Sequence, residues 1–371
     1  MSGGAKAKTK ADAKKDAAAA GASPKPTAAV AAGAIPPGPI DLVLEGGGVK
    51  GIGLVGAVLE LHRAGYQVQR VAGTSAGAIV ASLVAALNRP GYDLEQLDAI
   101  MTTIDYPAFM RNHGLRGALG PLGAAAGLVL HMGLYDGDYV LEWLGGQLQQ
   151  LGVVHFGDLA LADATSGARA AKQLGPLTDA QQFSLVVHTA DVTRKRTVRL
   201  PWDYPAYGLV PGTQRVVDAV RASMAIPFFF APVRFRAQAA SIGGQDTPAG
   251  DVVWVDGGLL DNFPLDVFTN TQTGAPASWP TVGVKLSARE AKIPTDSDVD
   301  DVADEAVACL RTLLDNADRF YIDESKAPAT IFVDSQGVAS TDFHLDKAAQ
   351  DRLFEAGRQA ARTWIGVNAK R

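Results

Sequence analysis

Between residues 40 and 87 the chain passes twice from a short apolar run, through glycines, into a segment with helical spacing. The apolar runs, 40–45 and 68–73, have the length of buried strands. The segments that follow them are 49–64 and 76–87, and the second is apolar nearly all round, as in a buried helix. Strand, helix, strand and helix in this order predict a parallel βαβα unit and therefore an α/β fold.

The rest of the chain continues this alternation. We predict further strands at 183–190, 196–200, 252–255, 281–286 and 330–333. We predict further helices at 214–224, 298–321 and 346–365, and surface loops at 237–250 and 270–280. No segment between these elements has the composition of a linker. Residues 40–371 are therefore expected to form one domain, after a disordered arm rich in Ala, Lys and Pro at 1–39.

Charge is distributed unevenly along the chain. Residues 1–39 hold six Lys and two Asp, a net charge of +4, whereas the whole chain carries −5, so the remainder carries −9 (−5 − 4). An acidic body argues against nucleic acid as a partner. The basic arm could contact anionic lipid, although a solvated tail is the simpler interpretation.

The sequence also limits where the protein works. Its single cysteine, Cys309, excludes an intrachain disulfide framework. The most apolar windows, 76–87 and 118–130, are too short to span a bilayer, and the N-terminus lacks the apolar core of a secretory signal. We therefore expect a cytoplasmic or peripheral membrane protein. The alternative is export as an effector, by a route that needs no cleavable signal.

The turn after the second predicted strand reads GTSAG, which places Ser75 between Gly73 and Gly77. Between a strand and a helix, this spacing is typical of a nucleophile elbow, a tight turn that lifts the serine hydroxyl to the carboxyl end of the sheet. The helix that follows directs its free N–H groups to the same place. The alternative is a turn of small residues that only allows close helix–strand packing.

The turn after the first predicted strand has the spacing G-x-G-x-x-G at Gly46, Gly48 and Gly51. A dinucleotide site would need an acidic residue at the end of the next strand, and 68–73 provides none. A phosphate-binding loop would need Ser or Thr after Lys50, where the chain has Gly51 instead. Nucleotide binding is therefore disfavoured at this turn.

Two interpretations of the same glycines remain. They form a structural turn, or they form an oxyanion hole whose backbone N–H groups stabilise negative charge on a substrate oxygen. In a parallel sheet the loops after neighbouring strands lie side by side, so the N–H groups of this loop could face Ser75.

A serine nucleophile needs a base. Ser75, Asp256 and His344 occur in the order of an α/β-hydrolase triad. Asp256 follows an apolar run, so burial would raise its pKa towards that of a useful base, although Asp-Gly is also an ordinary turn. His344 stands in no local catalytic pattern, and a structural or surface role is the simpler interpretation. We expect His62 to lie on the surface and His188 to be packed inside a strand.

Three segments together resemble the patatin-like phospholipase family. EGGGVKG at 45–51 is similar to its oxyanion motif, GTSAG at 73–77 to its nucleophile motif and DGG at 256–258 to its aspartate motif, in the family's order. Weaker similarity covers GLYDGDYVLEWL, ASMAIPFFFAPV and LLDNFPLD. The resemblance therefore extends over about residues 41 to 290.

The resemblance implies a three-layer α/β/α sandwich with a mainly parallel central sheet. It also implies lipid degradation by hydrolysis of fatty-acyl esters in phospholipids or lysophospholipids. The implied catalytic pair is Ser75 as nucleophile and Asp256 as base, without a histidine. The implied supporting residues are Gly46, Gly47, Gly48, Lys50, Gly51 and Ala76 at the oxyanion hole, Gly73 and Gly77 at the elbow, and Gly257 and Gly258 in the DGG turn. No metal or cofactor is expected, because backbone donors would hold the oxyanion charge.

Two apolar segments, 121–135 and 226–233, could line an acyl pocket or contact a membrane surface, or simply pack in the core. A protein activator is left open as a partner. Two other functions stay in view: a Ser75/Asp256/His344 triad esterase acting on small soluble esters, and a non-enzymatic lipid-binding module.

Overall fold

The computed structural model describes residues 34–111, 133–162, 177–178, 181–242, 245–269, 278–286, 326–340 and 342–368. The predicted helix 298–321, the arm up to residue 33 and most of the apolar segment 121–135 and of the predicted loop 270–280 lie outside these residues.

The strands of the described part are short. They are β1 (Pro39–Leu44), β2 (Gln67–Thr74), β3 (Gly133–Tyr135), β4 (Leu185–Asp191), β5 (Arg196–Leu200), β6 (Phe228–Phe230), β7 (Val233–Ala237), β8 (Ala240–Ile242), β9 (Gln245–Thr247), β10 (Gly250–Asp256), β11 (Thr281–Lys285) and β12 (Thr330–Phe332).

Eight of these strands form one mixed sheet in the order β12-β11-β1-β2-β4-β10-β7, with β5 paired to β4. The run from β12 to β4 is parallel, and β5, β7 and β10 are antiparallel to their neighbours. In the parallel register Leu44 lies beside Gly73, so the loops that leave β1 and β2 are neighbours. The predicted βαβα unit is confirmed, and with it the adjacency of the two glycine turns.

The described part contains six α-helices, which flank this sheet. They are α1 (Ile52–Arg63), α2 (Ala76–Leu87), α3 (Gln96–Met101), α4 (Tyr139–Gln150), α5 (Val216–Ser223) and α6 (Lys347–Asn368). Every residue of α2 is buried, as its apolar composition predicts. A mixed, mostly parallel sheet flanked by helices confirms the predicted α/β class.

The long C-terminal helix packs closely on α1 through glycines. A Cβ atom at Gly357 would lie 1.9 Å from the carbonyl oxygen of Gly53, and one at Gly56 would lie 2.1 Å from that of Phe354. The two helices therefore approach to backbone contact, and the larger core lies between these helices, α2 and one face of the sheet. The other face carries a smaller buried cluster of Val43, Ala72, Val186, Trp202 and Phe268.

Several elements differ from the prediction. The helix predicted at 49–64 begins as a 3-10 turn, Gly48–Gly51, before α1. The predicted loop 237–250 contains the hairpin of β8 and β9, whose strands of three residues pair only with each other in the described part. Helix α4 was not predicted, although Val140, Leu144 and Leu148 are spaced four apart and buried.

Candidate active site

Ser75 lies at the sharp turn between β2 and α2. Its backbone conformation, with φ 52° and ψ −123°, is one that residues other than glycine rarely adopt. The turn is tight on both sides. A Cβ at Gly73 would lie 2.2 Å from the carbonyl oxygen of Gly77, and a Cβ at Gly77 would lie 2.3 Å from that of Leu44. Both positions therefore require glycine, and the predicted elbow geometry is present. Such strain persists where surrounding contacts enforce it.

Ser223, the last residue of α5, supplies one of those contacts. The backbone N–H of Ser75 donates a hydrogen bond to Ser223 Oγ at 2.8 Å. The same hydroxyl donates to the backbone carbonyl of His188 in β4 at 2.5 Å. Ser223 is fully buried, so it links the elbow to the neighbouring strand out of contact with water.

Replacing Ser223 with alanine should lower the free energy of unfolding by about 1–3 kcal/mol, because the substitution leaves the Ser75 N–H and the His188 carbonyl buried without partners. Urea denaturation measures this change. Ser82→Ala is the matched control: Ser82 is equally buried in α2, but its hydroxyl only donates back to the Ile79 carbonyl of its own helix. Equal losses in the two variants would contradict the assigned role of Ser223.

The last residue of β10 is Asp256. Its backbone N–H donates to the Ala225 carbonyl at 2.8 Å, and its carboxylate Oδ1 accepts from the Gly258 N–H at 2.8 Å. The turn is crowded, since a Cβ at Gly257 would lie 2.4 Å from the backbone oxygen of His188. The DGG sequence therefore fits a turn packed directly against β4.

Burial raises the pKa of Asp256 to about 7, against the opposing effects of the Ser75 hydroxyl and the Gly258 N–H. The residue is 3% exposed. The Ser75 hydroxyl lies close enough to the carboxyl to favour its charged form. The second carboxyl oxygen, Oδ2, has no hydrogen-bond partner of standard geometry among the described residues. Hydrogen bonds between catalytic groups are often long in the absence of substrate. The sequence-predicted pair is thus brought together.

The glycine loop after β1 also borders Ser75, since a Cβ at Gly46 would lie 3.2 Å from the Ser75 Cβ. The N–H of Gly46 donates to the backbone oxygen of Asn262 at 3.1 Å and is therefore already used. The N–H groups of Gly47 and Gly48 donate to no acceptor in the described part of the chain. Gly48 has φ +56°, and a Cβ there would lie 1.8 Å from the Ser340 carbonyl oxygen, so this position also requires glycine.

The loop continues against the start of α2. A Cβ at Gly51 would lie 3.2 Å from the Cβ of Ala76, the first residue of that helix. The half-buried Lys50 folds back over the loop, with its Cε 3.4 Å from the position of a Cβ at Gly47. The predicted oxyanion residues thus lie together around the elbow.

A buried ion pair anchors the base of the loop. Glu45 precedes the glycines, and its carboxylate accepts hydrogen bonds from Lys285 Nζ and from the Leu286 N–H at the end of β11. Both charged side chains are almost fully buried. Because each charge would be costly to bury without the other, the pair fixes where the loop leaves the sheet.

An apolar cavity of about 30 Å³ opens beside Ser75. The glycine loop and the elbow form one wall of this cavity, through Gly48, Gly51, Ser75 and Ala76. Apolar side chains form the rest: Val49, Ile79, Met101, Ile104, Tyr106, Phe109, Met224, Ile226, Phe230 and Phe343. The glycine loop 46–51, or donor loop, and Ser75 therefore face one common, mainly apolar space.

Residues of the apolar segment 226–233 differ in their surroundings. Ile226 and Phe230 line the cavity, and Phe229 stacks on Phe343 with ring centroids 5.4 Å apart. Phe228 is 40% exposed and adopts φ 66°.

None of the three histidines considered from the sequence is hydrogen-bonded to Ser75 or Asp256 in the described residues. His344 and His62 are exposed. His188 is buried in β4, where burial and the nearby Arg199 lower its pKa to about 3, so the imidazole is uncharged. The sequence reasoning missed Ser223 and Asn262 as neighbours of the site, although both lie in segments that carry the family resemblance.

Two further observations concern the described residues as a whole. They contain no group of three or more His, Cys, Asp or Glu side chains placed to hold a metal ion. None of their helices combines the length and the apolar character needed to cross a membrane.

Comparison with known proteins places this site in a family context. The model of a family described as patatin-like phospholipase matches residues 42–269. The uncharacterized protein YqhO of Bacillus subtilis (strain 168) is 31% identical over 328 residues, which are 88% of this chain and 98% of that protein.

Two solved structures are also similar. VipD from Legionella pneumophila aligns with a TM-score of 0.45 and 17% identity, over 89% of this chain and 67% of that one. The heterodimeric ExoU–SpcU complex from the type III secretion system of Pseudomonas aeruginosa aligns with a TM-score of 0.45 and 16% identity, over 91% of this chain and 53% of the matched chain. This chain thus spans about half the length of the latter.

Proposed function

The chain belongs to the patatin-like phospholipase family, and from this premise we propose that it is a serine lipid acyl hydrolase that cleaves fatty-acyl esters of phospholipids or lysophospholipids. The observation that carries the proposal is the common cavity: Ser75 in its strained elbow, Gly48 of the donor loop and Ala76 all line it. We assign the activity to residues 40–371, with 1–39 as an arm, acting at a membrane surface.

In the first half of the proposed reaction, Ser75 Oγ attacks the ester carbonyl carbon while its proton passes to the Asp256 carboxylate. The carbonyl oxygen becomes an oxyanion that accepts hydrogen bonds from the N–H groups of Gly47 and Gly48, with the Ala76 N–H assisting. Each such donor is worth roughly 3–4 kcal/mol in the transition state. The intermediate collapses to an acyl-enzyme, and Asp256 returns the proton to the departing alcohol.

In the second half, a water molecule gives a proton to Asp256 and attacks the acyl carbon. The same N–H groups hold the second oxyanion, and fatty acid leaves as Ser75 regains its proton. A base used in both directions works best when its pKa lies near the working pH. The pKa of about 7 that burial gives Asp256 supports this role without a histidine.

The acyl chain would enter the apolar cavity beside Ser75. The space of about 30 Å³ must widen to admit it. Met101 and Met224 lie in the wall, and methionine is the apolar side chain that changes shape most easily. Aromatic neighbours such as Phe343 would then pack against the chain rather than against each other.

The proposal is tested by incubating the purified protein with phosphatidylcholine vesicles, lysophosphatidylcholine and a small soluble p-nitrophenyl ester. A fluorophosphonate probe and peptide mass spectrometry would locate the reactive serine. We expect fatty-acid release from the lipids and modification of the peptide that contains Ser75.

The alternatives give different outcomes. Turnover of the soluble ester alone, lost in His344→Ala, would favour a triad esterase, because the exposed His344 directly follows the cavity-lining Phe343. No turnover and no probe modification would favour a non-enzymatic lipid-binding module.

A further inference from the structure

Asn262 makes two hydrogen bonds to one glycine of the donor loop. Its backbone oxygen accepts from the Gly46 N–H at 3.1 Å, and its side-chain Nδ2 donates to the Gly46 carbonyl at 3.1 Å. Both polar groups of that peptide position are thus held by one residue. The next two residues, Gly47 and Gly48, are the proposed oxyanion donors.

The same side chain also faces the aspartate turn. A Cβ at Gly258 would lie 2.8 Å from Asn262 Oδ1 and 3.0 Å from Asp256 Oδ1, so Asn262 lies close to the residue whose N–H holds the carboxylate. A Cβ at Gly46 would lie 2.1 Å from that Oδ1. The amide of Asn262 therefore occupies the space between the donor loop and the aspartate turn, and this space is open because Gly46 and Gly258 have no side chains.

The residue before it reaches the third element of the site. The backbone oxygen of Asp261 accepts a hydrogen bond from Thr74 Oγ1 at 3.1 Å, immediately before Ser75. The Asp261 N–H in turn donates to the Gly257 carbonyl at 2.9 Å. Residues 261–262 thus contact the elbow, the donor loop and the aspartate turn.

We infer that Asn262 is a positioning residue that fixes the distance between the oxyanion donors and the Ser75–Asp256 pair. The inference rests on the proposed function. The Val49 N–H contacts the Ser340 carbonyl at 3.1 Å, and the Glu45 carboxylate contacts the end of β11, so both of these contacts hold the loop from outside the aspartate turn. Without the Asn262 amide, the Gly46 peptide loses its side-chain restraint and the Gly47 and Gly48 N–H groups move relative to Ser75.

The test compares Asn262→Ala and Asn262→Asp with the wild-type protein. The second variant keeps the size of the side chain and removes the Nδ2 donor. We expect kcat, normalised to the number of sites titrated by fluorophosphonate, to fall by about 10²-fold in both variants, as for a displacement of about 1 Å in an active site. The KM should stay within about twofold, because oxyanion donors act on the transition state rather than on bound substrate.

Asn88→Ala is the matched control. Asn88 Nδ2 also donates to a backbone carbonyl, that of Val68, but at the opposite end of β2 from Ser75. This variant should keep the wild-type kcat per titrated site even where its melting temperature falls.

Two outcomes would overturn the inference while leaving the proposed function intact. One is an unchanged kcat per titrated site in both Asn262 variants. The other is a fall that Asn88→Ala reproduces, which would show a general loss of stability. A wild-type protein that neither hydrolyses lipid nor reacts with the probe would instead refute the function itself.

Discussion

Ser75→Ala should reduce fatty-acid release from phosphatidylcholine vesicles by about 10⁴-fold or more, the size of loss seen when a serine hydrolase loses its nucleophile. The expected loss is this large because the proposed acyl-enzyme forms on the Ser75 hydroxyl, beside the loop donors. Ser223, which contacts the elbow, has its hydroxyl engaged with the Ser75 N–H and the His188 carbonyl. Both fatty-acid release, measured by titration, and fluorophosphonate labelling should be lost.

The substitution should leave the fold unchanged. Alanine keeps the backbone N–H that donates to Ser223 Oγ, and the turn is already strained with serine in place. The melting temperature should therefore match that of the wild-type protein. Ser82→Ala, which removes a buried hydroxyl from α2, should retain activity. Lipid hydrolysis that survives in Ser75→Ala would refute Ser75 as the nucleophile.

The elbow around Ser75 could be predicted from the sequence because its constraints are local. A Cβ at Gly73 or Gly77 would contact backbone within the same turn or the adjacent strand, and this requirement produces the recognisable spacing around Ser75. Helix α2 was predicted residue for residue, because an apolar segment between Ser75 and Asn88 has no other way to bury all its sides. The register of β1 beside β2 then placed the two glycine turns together.

The residues that hold the site together could not be predicted in this way. Ser223 lies 148 residues from Ser75, and Asn262 lies 216 residues from Gly46. A serine at a helix end and an asparagine in a turn are ordinary occupants of such positions, because both cap or close local backbone. Their importance comes from which backbone groups the fold brings to them. The resemblance likewise placed Gly46 at the oxyanion hole, and only the fold shows that its N–H is bonded to Asn262.

Asp256→Asn should lower the rate of lipid hydrolysis by about 10³- to 10⁴-fold, because the amide cannot accept the proton of Ser75. In the wild-type protein, kcat/KM should rise about tenfold for each pH unit up to about pH 7 and then level off, since only the ionised carboxylate is a base and its pKa is about 7. A flat profile between pH 5 and 8, or an active Asp256→Asn variant, would remove Asp256 from the mechanism.

The same substitution should make the protein more stable at neutral pH. The folded-state pKa of Asp256 lies above that of an ordinary aspartate, so between about pH 4 and 7 the folded protein holds a proton that the unfolded chain has lost. Its contribution to stability is therefore fully present below about pH 4 and is lost as the pH rises to about 7, by about 1.4 kcal/mol per pH unit. Asparagine is uncharged throughout, and its Oδ1 can still accept from the Gly258 N–H.

Asp256→Asn should therefore gain stability over the wild-type protein as the pH is raised from 5 to 7, and the gain should be constant above that range. Urea denaturation at pH 5, 6, 7 and 8 measures it. The control is Asp246→Asn, which removes an exposed carboxylate from the hairpin of β8 and β9 and should show no such trend. A variant that is inactive and at the same time more stable would be hard to explain by misfolding. It is the expected signature of a carboxylate whose burial is unfavourable for folding and useful for catalysis. A loss of stability that is the same at every pH would instead mean that Asp256 serves the fold.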